Sequence, residues 1–335
     1  MPVPLPVPLP VVGTTYHGMW GFYTEPDQTA LMDKVAWTGA DWIRVGVGWA
    51  GLQPRRPTAT DPGLAMNGAV ARLDRIVEMA RTRGLDVTVT LKTTPGWANG
   101  YRPGKVLPND PADYASIAGW VAQRYAGAVS SIEVYNEPNL QLQTVTTPEQ
   151  YTRLLCPAYQ AISTAAPSVK VIFGGTAGND WEYIDAAYRA GAKDCFDVMA
   201  THPYQGFSKP PGYPAESDRR WWTHNVRLVR QAMIRHGDGS TPVWFTEVGW
   251  STHANYPDIP PEWIGVTRVQ QARYLVDMVR MTAQRWPYVE RLNWYAARDE
   301  RTFLPNSLEN DNFGLFELDL DPKPSAFRLR RLLRG

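Results

Sequence analysis

Two glutamates stand where they could do chemistry together. Glu137 lies in Val134-Tyr-Asn-Glu-Pro138 and Glu247 in Phe245-Thr-Glu-Val-Gly-Trp250. Each is flanked by apolar residues, which places it in a crowded pocket rather than in water. Two carboxyls in unlike surroundings can divide the labour. One, held neutral, gives up a proton; the other, held ionised, attacks or stabilises an electron-poor centre. A single glutamate at the end of a strand is more often a salt-bridge partner, but Asn136 directly before Glu137 and the aromatics around both favour the chemical reading. The same stretches of chain carry His17, Arg44, Lys92, His202 and Tyr204 as further polar groups. Trp49, Trp97, Trp250 and Trp294 offer flat apolar faces.

Groups so far apart in sequence need a scaffold to bring them together. Eight short β-branched or apolar runs recur, at 15–22, 41–49, 86–94, 131–136, 169–174, 197–204, 242–248 and 290–296. Amphipathic windows follow them, at 28–38, 67–83, 111–128, 148–166, 181–190, 218–236 and 266–285, with a last helix at 324–333. Asn109-Asp110-Pro111 and Thr147-Pro148-Glu149 put a capping side chain before a first-turn proline. Continuous apolar runs such as Val87–Leu91 suit strands of a parallel sheet covered on both faces. The predicted fold class is α/β, a single (β/α)8 TIM barrel. An open doubly wound sheet is the rival, but no glycine-rich phosphate loop follows the first strand. We expect one catalytic domain over 13–335 after a proline-rich leader at 1–12. In such a barrel the site lies at the carboxyl ends of the strands. Glu137 on the fourth strand and Glu247 on the seventh then face each other across the mouth. Glycoside hydrolysis needs that arrangement.

Composition narrows the alternatives. The 335 residues carry a formal net charge of +1, against a polyanion-binding surface, and 44% are hydrophobic, enough for a large core. No apolar stretch is long enough for a membrane span. The start, Met1 to Pro10, has alternating prolines and no basic segment, so no signal peptide is visible. The five histidines show no metal-binding spacing, and Gly-x-Ser-x-Gly is absent. No cofactor and no metal are expected. Cys156 and Cys195 are either a disulfide or two free thiols.

Asn136-Glu137-Pro138 with Glu247 resembles the clan of retaining (β/α)8 glycosidases that includes families 5, 39 and 53. Thr94-Pro-Gly-Trp-Ala98, Tyr135-Asn-Glu-Pro-Asn139, His202-Pro-Tyr204 and Asn312-Phe-Gly-Leu315 with Asp321-Pro-Lys-Pro324 resemble family 39 or a close neighbour. The likeness runs from residue 15 to about 333. Leu91-Lys92-Thr93-Thr94 lacks the histidine found there in family 5, a departure from a family 5 cellulase. The resemblance implies Glu137 as acid/base, Glu247 as nucleophile, Asn136 as partner of the sugar 2-hydroxyl and Arg44 as the cation that keeps Glu247 ionised. It further implies that Tyr204 donates to the nucleophile and that His202 and Trp294 line the subsite of the attacked sugar.

The implied partner is a carbohydrate. Long strand-to-helix loops at 51–66, 96–109, 206–217 and 251–265 can shape either an open cleft or a closed pocket. With no added domain to block the cleft, we expect an endo-acting enzyme on a cell-wall or extracellular polysaccharide, extracellular or surface-associated, working as a monomer. The alternatives are exo action on chain ends, a non-catalytic glycan-binding barrel, and an unrelated barrel lyase or metal-dependent hydrolase.

Overall fold

A computed structural model of the chain describes residues 8–140, 146–205, 208–212, 221–255, 264–301 and 311–335. Strands and helices alternate. The order is β1 (Val11–Thr15), α1 (Glu25–Thr38), β2 (Trp42–Gly48), α2 (Trp49–Leu52), α3 (Ala71–Thr82), β3 (Asp86–Lys92), α4 (Gly96–Asn99), α5 (Pro111–Arg124), β4 (Ser131–Val134) and α6 (Pro148–Ala165). There follow β5 (Lys170–Phe173), β6 (Thr176–Ala177), α7 (Trp181–Arg189), β7 (Met199–His202), α8 (Val226–Arg235), β8 (Val243–Val248), α9 (Arg268–Arg285), β9 (Val289–Trp294) and α10 (Pro324–Arg334). The sheet order is β5-β4-β3-β2-β1-β9-β8-β7-β6, and its named pairings are all parallel. An Ile172–Val198 bridge joins the start of β7 to β5 and closes the ring. β5 and β6 share one barrel position, broken at Gly174-Gly175, so nine strands make an eight-position barrel. Among the described residues no helix is long and apolar enough to cross a membrane.

The helix starts follow from local chemistry. The Asp110 side chain accepts from the Ala112 amide ahead of α5. Thr147 and Gln150 form a reciprocal capping box at α6, as Thr267 and Gln270 do at α9. The first strand lies earlier than the 15–22 expected. It takes Val11 and Val12 from the proline-rich segment, and Tyr16–Tyr23 instead form successive turns, with the Trp20 amide bonded to the His17 carbonyl. α8 starts only at Val226, after a turn at Thr223–Asn225, because Thr223 is tied down by Gln205. Residues 218–220 of that window lie outside the described residues.

Alternation along the strands sorts the side chains into two cores. Ile43, Val45, Val87, Val89, Leu91, Ile132, Val134, Val171 and Phe173 face the helices and form the large outer core. A smaller cluster of Ile172, Val198, Ala200 and Trp244 is separate from it. Trp42 lies 5.9 Å from Trp244. Bare Gly13 admits the Trp42 ring, since a Cβ there would sit 2.6 Å from it. The Arg291 guanidinium lies over both rings, 5.6 Å from Trp42 and 4.6 Å from Trp244. Cys156 on α6 is disulfide-bonded to Cys195, just before β7.

Candidate active site

The end of β4 is bent so that Glu137 projects over the barrel mouth. Tyr135 (φ 72°) and Glu137 (φ 48°) both take left-handed backbone. That conformation costs an L-residue on the order of 1–3 kcal/mol and persists where neighbours enforce it. Here the Tyr135 hydroxyl donates to the Lys105 carbonyl (2.7 Å), and the Glu137 amide donates to the Gly175 carbonyl (3.0 Å). Gly175 must be glycine for this approach: a Cβ would lie 2.2 Å from His202 Nε2 and 2.6 Å from Thr246 Oγ1.

Glu247, near the end of β8, is held from two sides. Arg44 Nη1 donates to its Oε1 (2.6 Å) and the Tyr204 hydroxyl to its Oε2 (2.8 Å). Burial alone would raise its pKa, but the positive charges of His202 and Arg44 and the Tyr204 hydrogen bond hold it at about 2. Arg44 rises from β2, is 3% exposed, and also donates to Asn136 Oδ1 (2.7 Å) and Glu133 Oε2 (2.7 Å). One guanidinium thus fixes three acceptors.

His202 at the end of β7 is fully buried. Its Nδ1 meets Glu137 Oε1 at 2.8 Å and its Nε2 meets Thr246 Oγ1 at 3.0 Å. Burial would lower its pKa, but the charge of Glu247 and the hydrogen bond to Glu137 outweigh this and raise it. One carboxylate oxygen each of Glu137 and Glu247 and a ring nitrogen of His202 lie within 4.8 Å of one another. Two carboxylates and an imidazole could hold a cation. Here both imidazole nitrogens are already engaged, and Arg44 already supplies the positive charge beside Glu247.

The other sequence-predicted residues divide. His17 stacks on Trp20 (centroids 4.0 Å) and meets Tyr295 edge-on at 5.4 Å. Burial and the nearby Lys92 ammonium lower its pKa to about 3, so its ring is neutral. Lys92, at the end of β3, is half-buried beside bare Gly46, and burial and Arg44 lower its pKa. Trp97 is half-buried, bonded through Nε1 to the Gln53 carbonyl, with Arg56 5.1 Å over its ring.

Three tryptophans are not brought to the mouth. Trp49 is fully buried with its Nε1 on Gln53. Trp250 is fully buried, its Nε1 on the Lys209 carbonyl, and it stacks on Trp294 at 5.9 Å. Trp294 is fully buried and donates to the Phe313 carbonyl. Its expected place beside the attacked sugar is corrected by strand parity. Asn293 points inward, accepting from Thr15 Oγ1 at 2.6 Å, so Trp294 points to the helices and Tyr295 points inward again. Tyr295 is half-buried, with Tyr204 at 6.3 Å and Phe313 at 5.5 Å, and its electrostatic neighbours are Glu247, Glu300 and Glu137. Sequence reasoning missed Tyr295, Glu133 and Thr246. The signal was available: each sits in step with an inward residue of its own strand.

The ring of parallel strands gathers acidic, basic and aromatic groups at its carboxyl end, the place where an α/β barrel carries its site. A profile of the cellulase family (glycosyl hydrolase family 5) matches residues 7–294, and the chain belongs to that family. A protein described as "Probable glucan 1,3-beta-glucosidase" from Arthroderma benhamiae is 28% identical over 189 residues, 52% of this chain and 42% of its own. A "Beta-glucosidase-like SFR2, chloroplastic" from Oryza sativa is 28% identical over 121 residues, 36% of this chain and 18% of its own. The chain therefore spans less than half the length of these curated relatives. A family 39 glycoside hydrolase from the gut symbiont Bacteroides cellulosilyticus superposes with a TM-score of 0.74 at 20% identity, covering 97% of this chain and 64% of that one. A family 5 subfamily 18 enzyme from Streptomyces cattleya, solved with GlcNAc, gives a TM-score of 0.74 at 23% identity, covering 97% and 80%. The clan resemblance read from the motifs thus agrees with both families.

Proposed function

We propose that the protein is a retaining glycosidase in which Glu247 is the nucleophile and Glu137 the acid/base. The observation that carries this reading is the pair of carboxylates, with oxygens within 4.8 Å across the mouth and unlike surroundings. Retaining enzymes hold their carboxyl groups about 5–5.5 Å apart, whereas inverting enzymes leave about 6.5–9.5 Å for a water. Glu247, clamped by Arg44 and Tyr204, stays ionised and attacks the anomeric carbon. Glu137, in contact with His202, gives its proton to the departing oxygen, and the glycosyl–Glu247 ester forms as the glycosidic bond breaks. Glu137 then takes a proton from water, and the hydroxide oxygen displaces Glu247. Asn136, its carbonyl oxygen spent on Arg44, keeps its amide hydrogens for the sugar 2-hydroxyl. Tyr295 and His17 are the rings against which the sugar in the attacked subsite packs.

The substrate is a cell-wall or extracellular polysaccharide, cut internally. Rings lead outward from Tyr295 through His17 and half-buried Trp20 to exposed Phe22, a path longer than one sugar. The disulfide fits an oxidising compartment. The rival is exo action, favoured by the glucan 1,3-β-glucosidase name of two curated relatives. Incubation with a panel of polysaccharides and aryl β-glycosides separates the two. Endo action gives a mixture of oligosaccharides and a rapid fall in viscosity, and exo action gives one small sugar. Proton NMR of the first product should show the retained anomer; an inverted one overturns the mechanism.

A further inference from the structure

We infer that Glu133 is a positioning residue that organises both catalytic glutamates from beneath, through two separate arms. The inference rests on the glycosidase reading above and extends it to a group with no path to substrate. Glu133 lies on β4, fully buried inside the barrel. Its Oε2 accepts from Arg44 Nε (2.7 Å) and Thr90 Oγ1 (2.6 Å), and its Oε1 from Thr246 Oγ1 (2.8 Å) and the Gly175 amide (3.0 Å). Burial would raise its pKa, but Arg44 and the hydrogen bonds outweigh this, and the carboxylate stays charged.

The first arm runs through Arg44. Glu133 holds the guanidinium by Nε, so that Nη1 points at Glu247 and Nη2 at Asn136. The planar fork transmits that orientation without slack.

The second arm runs through Thr246 and settles a proton. An ionised carboxylate only accepts, so the single hydroxyl proton of Thr246 is spent on Glu133. Thr246 can then offer His202 Nε2 only a lone pair, and Nε2 must carry hydrogen. When His202 sheds the extra proton that its carboxylate neighbours favour, the proton must leave from Nδ1, which then becomes the acceptor facing Glu137 Oε1 at 2.8 Å. The acid form of the site is therefore Glu137 carboxyl donating to Nδ1. Were the tautomer reversed, Nδ1–H would point at Glu137 and favour its carboxylate, the wrong form for protonating a leaving group. Glu133 fixes the imidazole two hydrogen bonds away, so that the acid/base carries its proton at the right moment.

The two arms can be cut separately. Thr246→Val removes the hydroxyl and leaves Arg44 untouched, Thr246→Ser keeps the hydroxyl, and Glu133→Gln disturbs both arms. For Glu133→Gln we expect kcat to fall about 100-fold with little change in KM, and both limbs of the pH–rate profile to move. For Thr246→Val only the limb set by the His202–Glu137 proton should move. The loss should grow as the aryl leaving group becomes more basic, while trapping of Glu247 by a 2-deoxy-2-fluoro glycoside of dinitrophenol keeps its wild-type rate. Thr246→Ser should restore the profile.

A readout independent of turnover is the ¹⁵N spectrum of the five histidines, with His202 assigned from its loss in His202→Asn. Neutral His202 should be Nε2-protonated in wild type and Thr246→Ser, and a tautomer mixture in Thr246→Val. If Thr246→Val keeps both the wild-type profile and the wild-type tautomer, the proposal is wrong. It is equally wrong if Glu133→Gln lowers Tm alone. If Glu133→Gln does not fold, the Thr246 pair decides. If wild-type protein turns over no glycoside, the glycosidase reading fails, and the tautomer experiment still decides this one.

Discussion

The two ends of the barrel interior are built from opposite chemistry on the same strands. Trp42 and Arg44 are two residues apart on β2, Trp244 and Thr246 on β8, Ala200 and His202 on β7. At the amino end the inward Trp42, Trp244 and Ala200 pack a plug, with the Arg291 guanidinium laid over the two indoles. One step further they are charged or hydrogen-bonding and meet in the network around Glu133. A strand rises about 3.3 Å per residue, so about 7 Å separates the plug from the layer where the charged groups meet. The plug keeps water from the charged layer's lower side and so strengthens its electrostatics.

That contrast can be broken from either end. At the upper layer, Glu247→Ala should cost on the order of 10⁴–10⁶ in kcat if it is the nucleophile we propose. Glu137→Ala should lose about 10²–10⁴ on poor leaving groups. On an acidic phenol it should complete the first step and stall at the second, and azide, which needs no base, should restore turnover as a retained glycosyl azide. Azide rescue with retention in Glu247→Ala, and none in Glu137→Ala, would mean the roles are reversed.

At the lower layer, Trp244→Ala should cost about 3–5 kcal/mol in urea unfolding while kcat per folded molecule is retained. A matching loss of turnover would show that the layers are not independent. Reducing Cys156–Cys195, which closes a loop of 39 residues outside both layers, should lower stability by about 2–4 kcal/mol without changing the pH–rate profile. The smallest effect is the finest test. Tyr204→Phe removes one of the two donors to Glu247, whose pKa of about 2 should rise, so the acid limb of kcat/KM should move up by about 1 pH unit. No movement would mean that Arg44 and His202 alone hold Glu247 ionised.

The sequence made the alternation of strands and helices legible because parallel, doubly covered strands leave continuous apolar runs, and because Asp110-Pro111 and Thr147-Pro148 cap helices by local chemistry alone. Glu137, Glu247, Asn136, His202 and Tyr204 were legible from their places at or just past strand ends, and the fold brings them within hydrogen-bonding reach of one another or of Arg44, which lies deeper, third in β2. What was not legible depended on parity and depth. Trp294 and Tyr295 differ by one position, and only the inward bond of Asn293 decides which ring enters the mouth. Glu133 is hidden in an otherwise ordinary strand, and its worth comes from four donors on three other strands and a turn. Gly175 carries no side chain to signal a role, yet its bareness leaves the space in which His202 and Thr246 meet.

Among the described residues, the two inner carboxylates Glu133 and Glu247 stand beside two inner cations, Arg44 and Lys92. These inner charges offset one another before any sugar arrives. A neutral polysaccharide chain gains nothing from steering and loses nothing to salt, so its capture is governed by ring faces and hydroxyl geometry. A chain bearing carboxylates or sulfates would instead bring negative charge up against the buried carboxylates Glu133 and Glu247 and meet repulsion as well as a desolvation cost.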